Sequence, residues 1–287
     1  MSVASGFKPA AVDGAAARLH WMRANTVRFL ALFRRPPRNK VTPAWRTPAR
    51  VAVCTLAAIA VIAETMVFAD APIIRLALRL PEGVVVAFNW MTDFGNSVRF
   101  LVPIAVMLAV IATLASPALT SVSQRVLAAI AVRLGFLFAA IALPGLVFTV
   151  VKRLIGRARP LVGGSLDPFL HHPPGWGWSV EYASLPSGHA TDAAAIATAI
   201  GALWPWTRPL MWTYAALIAV SRVVLIAHFP SDVIAGVIVG AAGALLVRDW
   251  FAARGLAFTL APDGAVRPMP GPSLARIKRV ARQLIAP

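Results

Sequence analysis

Six apolar runs set the terms for any fold this chain can adopt. The first, VAVCTLAAIAVIAETMVFAD, covers 51–70, and the others lie at 98–116, 126–151, 190–206, 209–227 and 232–247. A segment inside a bilayer must pair every backbone N–H and C=O within itself, which a helix does. Crossing the roughly 30 Å hydrocarbon core takes about 20 apolar residues in that form. The expected fold class is therefore all-α, a bundle of six transmembrane helices. The fourth and sixth runs are short and are expected to tilt or to thin the bilayer locally. Arg75, Arg79, Pro81 and Gly83 break up 71–97, which reads as an interfacial or re-entrant segment with Trp90 near headgroup depth. Pro and Gly are dense in 156–188, the one long loop between spans. No internal repeat is evident. The expected organisation is a basic N-terminal tail (1–50), a six-span domain (51–250) and a basic C-terminal tail (251–287).

Charge orients this bundle. The chain is 59% hydrophobic and 14% charged, with a formal net charge of +17; soluble domains carry about 25% charged residues. Residues 1–50 hold ten basic side chains against Asp13 alone, and 248–287 hold seven against Asp249 and Asp263, so 14 of the 17 net charges flank the apolar region. Basic flanks mark the cytoplasmic side. Both tails and the short loops around Arg125 and Arg208 are expected there, in a multi-pass inner-membrane protein. No aromatic-interleaved basic domain accompanies the charge, which argues against nucleic acid as a partner. Cys54 is the only cysteine, so no internal disulfide forms. The first 50 residues lack the short basic region and apolar core of a cleavable signal, and the first run is expected to act as an uncleaved anchor. The outer, periplasmic side then receives 71–97, the loop 152–188 and the turn 228–231. Every cluster of polar chemistry in the chain falls on that side.

Three patches make up this chemistry. The third run ends in KRLIGRARP (152–160), placing Lys152 and Arg159 where the charge bias disfavours them. Alone they read as snorkelling anchors. The fourth run opens with Pro186-Ser187-Gly188-His189. Pro, Ser and Gly are ordinary loop-to-helix punctuation, yet a helix start also presents unpaired N–H groups and a positive dipole end, a site for phosphate. The third patch is SRVVLIAHFPSD (221–232). Arg222 lies in an apolar run, where a central charge costs about 2.5–3.5 kcal/mol. In a continuous helix Arg222 and His228 would sit about 9 Å apart on different faces. Phe229-Pro230 instead predicts that the chain folds back, bringing His228 towards Arg222 and placing Asp232 in the next helix's first turn. A carboxylate on one imidazole nitrogen fixes the tautomer and leaves the other nitrogen as a nucleophile. Cations and N–H groups would hold equatorial phosphoryl oxygens while one histidine attacks and another protonates the leaving oxygen.

Lys152, six residues, then Arg159-Pro160; Pro186-Ser187-Gly188-His189; and Ser221-Arg222, five residues, His228, three residues, then Asp232: in this order they form a pattern that resembles the three-part signature of the type 2 phosphatidic acid phosphatases. The resemblance covers about 150–250, with a compatible six-span topology over 51–247 and no departure at a signature position. It implies an integral-membrane lipid phosphatase in which His228 becomes phosphorylated and Asp232 orients it. His189 would be the general acid for the leaving group and then the base for water. Lys152, Arg159, Ser187, Gly188 and Arg222 would bind the phosphate. The family works without a metal or other cofactor, and three adjacent cations would repel a metal ion. The implied partner is a membrane lipid carrying a phosphate or pyrophosphate: phosphatidic acid, phosphatidylglycerol phosphate, undecaprenyl pyrophosphate or lipid A phosphate.

Other polar residues are weighed differently. Glu64 and Arg133 lie inside spans at different depths; Arg133 reads as snorkelling and Glu64 stays open. Asp192, one turn after His189, reads as a solvated helix-start acid. His171 and His172, beside Pro173-Pro174, read as loop surface, while Trp176, Trp178 and Tyr182 suit an aromatic rim at the interface or ordinary loop packing. His20 in the basic tail is assigned no role. A vanadate-dependent haloperoxidase resembles the same pocket but is a soluble helical protein, which six apolar spans oppose. A lipid-binding or transport protein on the same scaffold is the alternative from another class; it would be free to lose His189, His228 and Asp232, all present here.

Overall fold

The computed structural model describes residues 14–38, 43–115, 119–172 and 179–285. In chain order these form helices α1 (Gly14–Phe33), α2 (Pro48–Phe68), α3 (Asp70–Ala77), α4 (Glu82–Thr92), α5 (Val98–Leu114), α6 (Ser121–Ile155), α7 (Gly188–Leu203), α8 (Arg208–Val224) and α9 (Pro230–Ala253). An antiparallel hairpin follows, β1 (Phe258–Leu260) with β2 (Val266–Pro268), and then α10 (Leu274–Ile285). Pro48 and Pro230 open α2 and α9, at the position where a missing N–H costs a helix nothing.

Four helical stretches among the described residues are long and apolar enough to cross a membrane: Pro48–Phe68, Glu82–Leu114, Ser121–Ile155 and Pro230–Ala253. α2 has no buried residue, and Val53, Leu56, Ile59 and Phe68 are 58–72% exposed. An apolar surface this continuous is not left to water; it faces lipid. Against the six expected spans, α7 and α8 are only 16 and 17 residues long, about 24–26 Å. The segment 71–97 also differs from its reading. α3 and the turn after it stand apart from the spans, but from Glu82 onward the chain belongs to the Glu82–Leu114 stretch. Pro81 caps α4 rather than breaking a helix, and Gly83 sits in its first turn.

The chain divides into two compact units. The larger comprises Pro37–Ala105 and Arg133–Pro270. Its centre is α7, buried along nearly its whole length. The helix is Ala-rich, and its small side chains allow close neighbours. Ala193 and Ala197 pack on Ala215 and Ile218 of α8, and Ala190 packs on Ala219 and Val233. On α9, a Cβ at Gly236 would lie 2.6 Å from Ser187 O, and one at Gly240 would overlap Thr191 O. α9 therefore meets the backbone of α7 directly.

Phe136 of α6 packs edge-on against Phe251 and Phe258. Beside it Arg133 Nη2 donates to Met269 O and Pro270 O, both at 2.9 Å. Arg133 thus holds the hairpin's exit by charge-assisted bonds rather than snorkelling.

The smaller unit comprises Met1–Pro36, Val106–Val132 and Gly271–Pro287. Asn25 Nδ2 donates to Ala112 O and Ala115 O at 2.9 and 2.8 Å. Val280 of α10 packs on Val126 and Leu127, while Arg276, Lys278, Arg279 and Arg282 stay exposed. The segments read as basic tails thus contain helices and a hairpin.

Candidate active site

The site is built where α8 turns back into α9. Ile226 takes a left-handed conformation (φ 53°), costly for a branched residue. Ala227 N and His228 N both donate to Arg222 O, at 3.0 and 3.2 Å. The reversal expected at Phe229-Pro230 therefore begins three residues earlier, and it delivers His228 to Arg222 as the sequence predicts. Asp232, in the first turn of α9, accepts from Phe229 N at 2.9 Å through Oδ2, satisfying an orphan donor of that helix. His228 and Asp232 are both buried, with Nδ1 3.7 Å from Oδ2.

Ser184 completes this contact. Its Oγ donates to Asp232 Oδ2 at 2.6 Å and lies 3.4 Å from His228 Nδ1. Burial holds the His228 imidazole below its usual range; Asp232 opposes this, while Arg159 and Arg222 add to it. This shift favours the neutral ring, the form a nucleophile requires.

α7 begins beside this pair, tied to it by Ser187 N donating to Asp232 O at 2.9 Å. Ser187 is the N-cap residue, and Gly188 and His189 form the first turn. His189 lies within electrostatic reach of Arg222, His228, Arg159 and Lys152. The turn at Gly95 packs against it, since a Cβ there would be 3.1 Å from His189 Cδ2. Lys152, in the last turn of α6, holds its ammonium 5.1 Å from the centroid of the Phe148 ring. Arg222 Nη1 donates to Thr92 Oγ1. Arg159 Nε, Arg222 Nε and Ser187 Oγ are buried without a hydrogen-bond partner among the described residues. Burial lowers the Arg159 guanidinium from its usual range, with Asp232 opposing. All eight residues singled out in the sequence thus belong to one neighbourhood of the larger unit.

The sequence reading missed the support beneath it. Arg157, fully buried, donates to Asp232 Oδ1, Ser231 Oγ, Asp70 Oδ2 and Pro168 O. Arg157 lies inside the KRLIGRARP stretch, and Asp70 is the acid that closes the first apolar run. A charge expected on the same side as the other cations was the available signal. Asp192 also departs from its reading. It is buried rather than solvated, Oδ2 accepts from Ser97 N at 3.2 Å, and Oδ1 has no partner among the described residues. It sits on the face of α7 covered by the Asn96–Ser97 turn, which no local pattern reveals. His171 is exposed, but His172 is half-buried, edge-on to Tyr182 at 6.3 Å. Trp176 and Trp178 lie outside the described residues. Glu64 and His20 are exposed.

Helices long and apolar enough to cross a membrane, with a partly buried cluster of histidines and cations at their ends, place the chain among integral-membrane proteins. Residues 133–256 match the PAP2 superfamily. Over 223 residues the chain is 33% identical to a lipid A 1-phosphatase of Rhizobium etli, covering 76% of this chain and 92% of that one. A second lipid A 1-phosphatase, from Rhizobium johnstonii, is also 33% identical over 223 residues and is covered to 87%. The chain belongs to the PAP2 superfamily and is a lipid phosphatase, an enzyme that hydrolyses phosphoester bonds. Among solved structures, a PAP2-type phosphatidylglycerolphosphate phosphatase from Bacillus subtilis aligns at 20% identity and a TM-score of 0.44, covering 79% of this chain and 94% of that one. Aquifex aeolicus LpxE aligns at 22% identity and a TM-score of 0.43, covering 62% and 93%.

Proposed function

We propose that the chain removes a phosphate monoester from a lipid A-like glycolipid, through a phosphohistidine at His228. The observation that carries this reading is the set of buried, unpartnered donors on Arg159, Arg222 and Ser187, around two histidines. Those donors, Lys152 and the N–H groups opening α7 hold the equatorial oxygens as charge shifts during transfer. His228 Nε2 attacks phosphorus, the bond from phosphorus to the leaving oxygen breaks, and His189 supplies that oxygen's proton. Water then attacks the phosphohistidine while His189 takes its proton, and inorganic phosphate leaves. Asp232 fixes the imidazole. The reaction needs no metal, because the cations already present neutralise the developing charge.

The lipid A class is favoured by the two lipid A 1-phosphatases that this chain resembles along nearly their whole length. Six spans, with α7 and α8 as the shorter pair, would put both termini in the cytoplasm and the pocket on the periplasmic face. The basic flanks support that orientation. Reporter fusions after residue 170 and at the C terminus should report opposite sides; the same side for both refutes it.

Phosphate release by purified protein, measured across lipid A, phosphatidic acid, phosphatidylglycerol phosphate and undecaprenyl pyrophosphate in mixed micelles, tests the substrate. Lipid A should give the highest kcat/KM. It should exceed p-nitrophenyl phosphate by at least about a hundredfold, or about 2.7 kcal/mol, because acyl chains left in the bilayer orient the phosphate. Equal values for lipid and soluble phosphates refute a lipid-specific pocket.

A further inference from the structure

We infer that Asp70 and Arg157 are positioning residues for the His228–Asp232 pair, and that Asp70 offsets the positive charge that Arg157 brings to Asp232. The inference rests on the phosphohistidine reading. The side chains of Asp70, Arg157 and Asp232 are all 0% exposed, so their charges act without solvent screening. Arg157 Nη1 takes Asp232 Oδ1, and Nη2 takes Asp70 Oδ2 at 2.7 Å. Ser231 closes a ring: its Oγ accepts from Arg157 Nη1 at 2.8 Å and donates to Asp70 Oδ2, while its N–H donates to Asp70 Oδ1 at 2.9 Å. Arg157 Nε donates to Pro168 O at 2.8 Å, and the guanidinium carbon lies 4.7 Å from the Phe229 ring centroid. The fork geometry leaves Arg157 one orientation.

Two consequences follow for His228. With Oδ1 held by Arg157, the carboxylate presents Oδ2 to Phe229 N, Ser184 and the imidazole. Arg157 alone would also cancel the Asp232 charge. Asp70 restores it: two carboxylates and one guanidinium leave the cluster at −1. When His228 Nε2 bonds to phosphorus and Nδ1 keeps its proton, the ring gains positive charge, which a buried site tolerates only with a compensating anion. The charged or titratable groups acting on His228 are Asp232 from α9, Arg222 from α8, His189 from α7 and Arg159 from the loop after α6; Lys152 acts on His189, Arg157 stands behind Asp232, and Asp70 of α3 stands behind Arg157. Asp70 touches no reacting atom and acts through Arg157 and Ser231.

The test uses the full chain in detergent and reads kcat, KM and the pH profile of phosphate release. Asp70→Asn keeps the shape and removes one negative charge. It should lower kcat by at least about tenfold, or about 1.4 kcal/mol, with KM unchanged within about twofold. The acid limb of kcat/KM should move to lower pH, because an imidazole near less negative charge is harder to protonate. Asp70→Glu, which keeps the charge, should leave the acid limb in place. Should Asp70→Asn not fold, the charge-balanced double variant Asp70→Asn/Arg157→Gln decides: Asp232 alone supplies the −1, so the limb should stay at the wild-type pH while kcat falls. Wild-type kcat in either variant overturns the inference, as does a lowered kcat with an unmoved limb in Asp70→Asn or a moved limb in the double variant. His228→Ala in the same assay separates the two readings. If it remains active, the phosphohistidine reading fails; if it is inactive while Asp70→Asn behaves as wild type, only this inference fails.

Discussion

Gly236→Ala should slow catalysis by moving two helices that carry opposite halves of the site. The new Cβ would lie 2.6 Å from Ser187 O, 3.1 Å from Ala190 Cβ and 3.2 Å from Thr191 N, whereas real Cβ atoms essentially never approach within 3.0 Å. Because Ser187 O and Thr191 N are backbone, no rotamer relieves the contact, and α9 must part from α7 by about 0.4 Å. Overpacking of this kind costs about 1–3 kcal/mol, offset by about 1 kcal/mol from the better helix propensity of alanine. A net loss of about 0–2 kcal/mol leaves the protein folded.

The displacement falls between His189 on α7 and Asp232 on α9. A misplacement of about 1 Å can cost about a hundredfold in rate, so about 0.4 Å predicts a fall in kcat of roughly five- to tenfold. Gly240→Ala, whose Cβ would overlap Thr191 O, should cost more in both stability and rate, while Gly83→Ala, with nothing within 4 Å, should cost neither. Phosphate release and thermal unfolding of the three purified variants are the assay. Wild-type kcat in both Gly236→Ala and Gly240→Ala, or a loss no larger than in Gly83→Ala, would show that the helix spacing does not set the site.

Burial holds the His228 imidazole below its ordinary value of 6.5, so the acid limb of kcat/KM should fall below pH 6.5; a limb above it refutes a buried neutral nucleophile. The unfolded chain binds that proton near 6.5, so the contribution of the neutral ring to stability is whole above this pH and lost as pH falls through the folded-state value, which denaturant titrations at several pH values will register. His228→Ala should abolish both turnover and trapping of labelled phosphate on the protein, vanadate should inhibit the wild type, and chelators should do nothing; restoration of a chelated enzyme by a metal ion would overturn the metal-free mechanism. Arg133→Ala removes the two bonds to Met269 O and Pro270 O and should lower stability by about 1–3 kcal/mol, measured by thermal unfolding, with kcat per folded molecule unchanged; an equal loss of kcat would tie the hairpin to catalysis.

The apolar runs are enough to require helices, because a bilayer leaves the backbone no other way to pair its polar groups. Motif spacing is enough to bring Arg222, His228 and Asp232 together, since Pro230 marks a new helix start a short linker after Arg222, although the reversal itself begins at Ile226. Both inferences use forces that act within about a dozen residues. Hydropathy could not separate the lipid-facing α2 from the buried α7, because lipid tails and alanine-rich helix neighbours are equally apolar; only the glycines of α9 meeting the backbone of α7 decide which helix is inside. Nor could local pattern pair Asp70 with Arg157, 87 positions apart, or Arg157 with Asp232, 75 apart. A buried charge is tolerable only once its counter-charges arrive from other elements, so the charge balance around His228 belongs to the tertiary structure alone.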